Sequence, residues 1–107
     1  MSHYFISAGI ELEDGAELEH AEAGLRQLAE QTQAEPGCIL FEIRQSLDQP
    51  EKFTLWECWE SPEALAAHFE ADHTKAFLAL GLTKINYIEK LGEIGDRTFA
   101  GAGNHPS

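Results

Sequence analysis

Basic residues are scarce in this chain: 7 Lys and Arg stand against 19 Asp and Glu, a formal net charge of -12. Such a balance repels phosphate backbones and anionic lipid, so neither nucleic acid nor a membrane surface is expected as a partner. No apolar run approaches the roughly 20 residues that span a bilayer. The segment Met1-Ser2-His3-Tyr4-Phe5-Ile6 has neither a basic start nor a long apolar core, so no signal peptide and a cytoplasmic location are expected. Cysteine is also rare. Cys38 and Cys58 are the 2 present, too few for a disulfide framework and outside any Cys/His spacing of structural zinc. Both read as small apolar core residues. No GxGxxG, Walker loop, HExxH or GxSxG pattern occurs, so the fingerprints of nucleotide, flavin, zinc-protease and serine-hydrolase sites are missing. His68 and His73 are five apart, not the four that put two imidazoles on one helical face, and no metal is expected.

What is there is a globular composition. Of 107 residues, 43% are hydrophobic and 24% charged, which suits one small domain with a single core. The segment "HYFISAGIEL", His3 to Leu12, is rich in aromatic and branched residues and predicts a strand. Asp14-Gly15 breaks it. Leu18, Ala21, Leu25, Leu28 and Ala29 then recur at helical spacing and predict a helix from Ala16 to Gln33. Residues 11 to 35 carry eight acidic side chains and one basic one, read as the solvated face of that helix. Glu35-Pro36-Gly37 ends it. "CILFEIRQSL" (38–47) and "KFTLWECWE" (52–60) predict a hairpin joined by Asp48-Gln49-Pro50-Glu51. Ser61-Pro62 opens a second helix to Glu70, with Ser as N-cap and Pro in the first turn. Asp72 is placed to cap a short helix from His73 to Leu80, closed by Gly81. "TKINYIEKL", 83–91, is the last strand. Residues 1–91 are thus one domain, and 92–107 a tail with few anchors, loose or laid on a partner.

The order β-α-β-β-α-β is α+β and ferredoxin-like, an antiparallel sheet with helices on one face. "CILFEI" and "FTLWECW" are apolar on both faces, and a sheet of that kind must be covered on both. The expected cover for the second face is another sheet, in a homodimer, with Trp56 in its core.

Side chains alternate along a strand, so Phe53, Leu55, Glu57 and Trp59 share one face. On the following helix Leu65, His68 and Phe69 lie on one side. Glu57, Trp59 and His68 can therefore meet between sheet and helix, with His73 just beyond. A carboxylate among apolar neighbours is costly to bury, and desolvation raises its pKa towards the range of a general base. Trp59 is a candidate wall for a planar ligand. Asn86 and Tyr87 are polar groups in the last strand, one of which should face the helices. A pocket and a well-satisfied core both fit this pattern.

The stretches "EPGCILFEI" and "FTLWECWESPEALAAHFEADHTKAF" resemble the antibiotic biosynthesis monooxygenase family. The matching motifs are Glu35-Pro36-Gly37-Cys38, Glu57-Cys58-Trp59-Glu60-Ser61, Ala67-His68 with His73, and Lys75-Ala76-Phe77. The resemblance covers about residues 3 to 91 and implies a dimeric α+β barrel. It departs from heme-degrading members, whose strand-one Asn falls near Ala8 and whose iron-ligating His falls near Leu78. What it implies is cofactor-independent oxidation of a small aromatic phenol or quinol by O2. Glu57, His68 and His73 would be catalytic. Trp59 and Phe41 would flank the ring, with Asn86 and Tyr87 as further substrate contacts. Two other readings stay open: an isomerase acting on a phosphorylated carbonyl compound, and a catalytically inert ligand-binding dimer.

Overall fold

A computed structural model describes residues 2–99 of the chain. The elements are β1 (Tyr4–Leu12), α1 (Leu18–Gln33), β2 (Cys38–Gln45), β3 (Lys52–Trp59), α2 (Pro62–Glu70), α3 (Asp72–Ala79) and β4 (Thr83–Leu91). They form one four-stranded sheet in the order β2-β3-β1-β4. All three neighbouring pairs are antiparallel. This is the α+β, ferredoxin-like topology that the element order predicts. No helix among the described residues is long and apolar enough to cross a membrane.

The core follows the two periodicities. Tyr4, Ile6, Ala8 and Ile10 from β1 and Phe53, Leu55 and Trp59 from β3 are buried on the helix-facing side. Ala21, Leu25 and Leu28 of α1 are buried against them. Each such Leu or Ile contributes about 1.5–3 kcal/mol by leaving water. Helix α1 begins two residues later than its apolar spacing predicts. Gly15 adopts φ +83, and the Ala16 amide is held in a turn by the Glu13 carbonyl at 3.0 Å, so the chain cannot enter the helix before Leu18. Strand β2 ends at Gln45. The Ser46 side chain accepts from the Gln49 amide, and the longer turn leaves Leu47 in solvent.

Helix α2 starts as its sequence predicts, the Ser61 hydroxyl accepting from the Ala64 amide at 3.1 Å. Helix α3 does not. Ala71 is its N-cap, and Asp72 lies inside the first turn without capping it. The link between α1 and β2 is set by Gly37. Its φ is +84, and a Cβ there would stand 2.6 Å from that of Ala64. Only glycine lets α2 sit this close to the start of β2.

The other face of the sheet is open in the single chain. Phe5 and Trp56 stack on it at 5.6 Å, and Trp56, Tyr87 and Leu91 remain 37–43% exposed. Of the tail, residues 92–99 fold back on the beginning of the chain. Phe99 meets Tyr4 edge-on at 5.4 Å, and Thr98 bonds Ser2. Residues 100–107 lie outside the described residues.

Candidate active site

A cavity of about 690 Å³ lies between the sheet and the helices. Its floor is the helix-facing side of β1, β3 and β4, and α2 and α3 roof it with Leu65, His68, Phe69, Thr74, Phe77 and Leu78. Most of its lining is aliphatic or aromatic. The strand registers place Phe41, Glu57, Ile6 and Lys90 side by side in one row across the sheet. All four border the cavity. The neighbouring row, Leu55, Ala8 and Ile88, is apolar throughout.

Glu57 is 5% exposed. Its Oε1 accepts a hydrogen bond from the Trp59 indole N–H at 2.9 Å. Burial drives its pKa from the ordinary 4.5 up to about 7, the Trp59 bond opposes that rise, and the Glu35 charge adds to it. The carboxyl is thus poised to exchange a proton near neutral pH, as a general base must. Trp59 itself is fully buried and does not border the cavity. It stands behind Glu57 as hydrogen-bond donor, edge-on to Phe41.

His68 is 4% exposed, its ring packed among Trp59, Phe41 and Phe69. Its Nδ1 lies 2.7 Å from Oε2 of Glu35, with the Thr74 hydroxyl 3.2 Å from the same nitrogen. His73 approaches the same carboxylate oxygen with Nε2 at 2.5 Å. A carboxylate only accepts, so both facing nitrogens carry their protons. In a neutral ring that leaves Nε2 of His68 as the basic nitrogen, fixed by Glu35 in the manner of a carboxylate–histidine pair. His73 lies on the far side of Glu35 and does not border the cavity. It belongs to a second, smaller hollow between α1 and α3.

Glu35 and Thr74 are the members that sequence reasoning missed. The acidic run places Glu35 with the solvated acids of α1, yet its side chain is only 11% exposed. The one available signal was two histidines near the end of a helix in need of a common acceptor. Asn86 and Tyr87 are not brought to the cavity. A register shift between Gly9 and Ile10 leaves Asn86 as the unpaired residue. Tyr87 falls on the opposite face, its ring over Gly9 and its hydroxyl 3.3 Å from that of Ser7.

Glu35, His68 and His73 also form, among the described residues, a grouping able to offer three metal ligands, all within 4.8 Å of one another. The two N···O separations, 2.7 and 2.5 Å, are shorter than the roughly 3.3 Å between two ligands of a tetrahedral ion with bonds near 2.0–2.1 Å. The three groups satisfy each other as hydrogen-bond partners and would have to spread to hold an ion. Cys38 offers no nucleophile. Burial, with Glu35 and Glu57 nearby, pushes its thiol up to about 11, so it stays protonated at neutral pH.

Fold and site together define a class: a ferredoxin-like α+β protein built around a cavity of small-molecule size, with a buried carboxyl of raised pKa on its floor. The chain belongs to the antibiotic biosynthesis monooxygenase family, whose pattern matches residues 4–80. It is 30% identical over 90 residues to the uncharacterised protein YjcS of Bacillus subtilis (strain 168), covering 84% of this chain and 86% of that one. The solved structure of YjcS superposes with a TM-score of 0.78, covering 84% of this chain and 97% of the other. A conserved protein of unknown function from Bacteroides thetaiotaomicron has the same fold at 22% identity, with a TM-score of 0.74 and coverage of 85% and 97%. Rv0793 of Mycobacterium tuberculosis does so at 22% identity, with a TM-score of 0.74 and coverage of 91% and 100%.

Proposed function

We propose that this protein is a cytoplasmic, cofactor-independent monooxygenase that oxidises a small electron-rich aromatic substrate, a phenol or quinol, with O2. The observation that carries the reading is Glu57, a carboxyl with a pKa of about 7 on the floor of an otherwise largely apolar cavity. Family membership supports the reaction class.

In this reading the Glu57 carboxylate takes the substrate O–H proton. The resulting anion is electron-rich enough to reduce O2 directly. An electron passes to O2, the two radicals join as a C–O bond, and the peroxide loses water. The substrate gives up two hydrogens. One oxygen atom stays in the product as a carbonyl and the other leaves as water. Trp59 steadies the ionised Glu57 through its indole N–H. His68, held by Glu35, supplies or removes a proton at the peroxide step. Phe41 flanks the ring from the same row of the sheet. Apolar walls around a reacting anion strengthen each of these contacts.

The protein works as a homodimer in this proposal, a second copy covering Phe5, Trp56, Tyr87 and Leu91 on the open face. Sedimentation of Trp56→Glu beside the parent tests that part. A dimer converted to a monomer supports it, and a parent that is monomeric at micromolar concentration refutes it. The activity is tested by O2 uptake of metal-stripped protein given a panel of quinols and polycyclic phenols. Uptake well above autoxidation, lost in Glu57→Gln and His68→Ala, is the expected result. Uptake that both variants retain would remove these residues from the chemistry.

A further inference from the structure

Lys90 is the one lysine or arginine among the residues bordering the cavity. It lies on edge strand β4, and its partner across β1 is Ile6, whose own partner on the other side is Glu57. Glu57 and Lys90 are therefore two strand spacings apart on the same face, about 10 Å between backbones. Their side chains stand in one row, on either side of Ile6. Everything in the next row, Leu55, Ala8 and Ile88, is apolar. Among the described residues no carboxylate lies within ion-pair distance of the Lys90 ammonium, whereas Lys75 and Lys84 each have one. The chain as a whole carries a net charge of -12, which disfavours an anionic ligand everywhere except beside such a cation.

We propose that Lys90 is a specificity-determining residue and that the substrate is an aromatic hydroxy acid. Its hydroxyl lies at Glu57 and its carboxylate at Lys90, both on one edge of a ring system whose apolar body covers Ala8, Leu55 and Ile88. The inference rests on the proposed reading for the hydroxyl end and adds the charged end. Without Lys90 the cavity binds a neutral phenol as well as the acid. With it, the acid gains a charge-assisted hydrogen bond at the exposed β4 edge of the cavity.

The test is binding measured by calorimetry without O2, so that it stands whether or not turnover occurs. Three ligands on one naphthol ring system are compared: 4-hydroxy-2-naphthoate, its near-isosteric neutral carboxamide, and the unsubstituted 1-naphthol. The parent protein should bind the acid about tenfold more tightly than the amide, the scale of one hydrogen bond to a charged group. In Lys90→Gln that preference should disappear, with binding of 1-naphthol unchanged. Lys90→Arg should keep it. Equal affinity for acid and amide in the parent overturns the proposal, as does a preference that survives Lys90→Gln, or failure of all three ligands to bind. An acid preference that depends on Lys90, in protein that consumes no O2 with any substrate, would uphold this inference and refute the oxygenase reading.

Discussion

Replacing Glu57 by Gln should make the protein more stable at pH 8 and leave it unchanged at low pH. The carboxyl rises from an ordinary 4.5 to about 7 on folding, chiefly through burial. At 1.36 kcal/mol per pH unit that corresponds to about 3 kcal/mol. The sign follows from proton counting. Between 4.5 and 7 the folded state holds the Glu57 proton and the unfolded state has lost it. Stability therefore falls as pH rises through that window, and above 7 the full cost of about 3 kcal/mol is present. Gln has no charge to desolvate, and its carbonyl can still accept the Trp59 N–H. Urea denaturation of parent and Glu57→Gln at pH 4.5 and pH 8 reads the difference. The expected result is near-equal stability at the lower pH and a gain of about 2–3 kcal/mol for Gln at the higher. A difference that does not change with pH, or a loss for Gln at pH 8, would refute the burial argument.

Four further substitutions probe the scaffold. Glu35→Ala leaves the ring N–H groups of His68 and His73 without their shared acceptor. It should cost about 2 kcal/mol in denaturant melts and lower the apparent pKa of Glu57, which the Glu35 charge helps to raise. Gly37→Ala combines a left-handed backbone with a close approach to Ala64, and a loss of about 2–4 kcal/mol is expected. Gly15→Ala, at a similar φ but with open space around it, should lose about 1 kcal/mol. Thr32 is fully buried, and its hydroxyl has no hydrogen-bond partner among the described residues. Thr32→Val should stabilise by about 1 kcal/mol, read as a rise in Tm.

Where one local rule acted alone, the sequence was enough to find the structure. The Leu and Ala spacing of α1, the Ser61-Pro62 start of α2 and the apolar, aromatic run of β3 each gave an element, with only the start of α1 displaced. Glu57 and His68 stood out because a polar group on an apolar face demands a reason. Misreadings came where two groups distant in sequence decide the outcome. Glu35 looked like one more acid on a solvated helix, and only the fold shows it reaching between two histidines. The sides of Asn86 and Tyr87 depended on a register shift against β1, which no pattern within β4 announces. Lys90 sits exposed on edge strand β4. That it also borders the cavity follows from a pairing across three strands. The start of α1 and the cap of α3 turned on single backbone positions, Gly15 and Ala71, that side-chain patterns do not report.

In the proposed reaction the Glu57 carboxylate is the base. The most direct test is the pH dependence of kcat/KM for O2 uptake, measured with a phenol whose own ionisation lies well above pH 9. The rate should rise as Glu57 loses its proton, with an inflection near 7, and both rate and inflection should be lost in Glu57→Gln. A parent rate that is flat between pH 5 and 9, or an inflection that survives in Glu57→Gln, would contradict it.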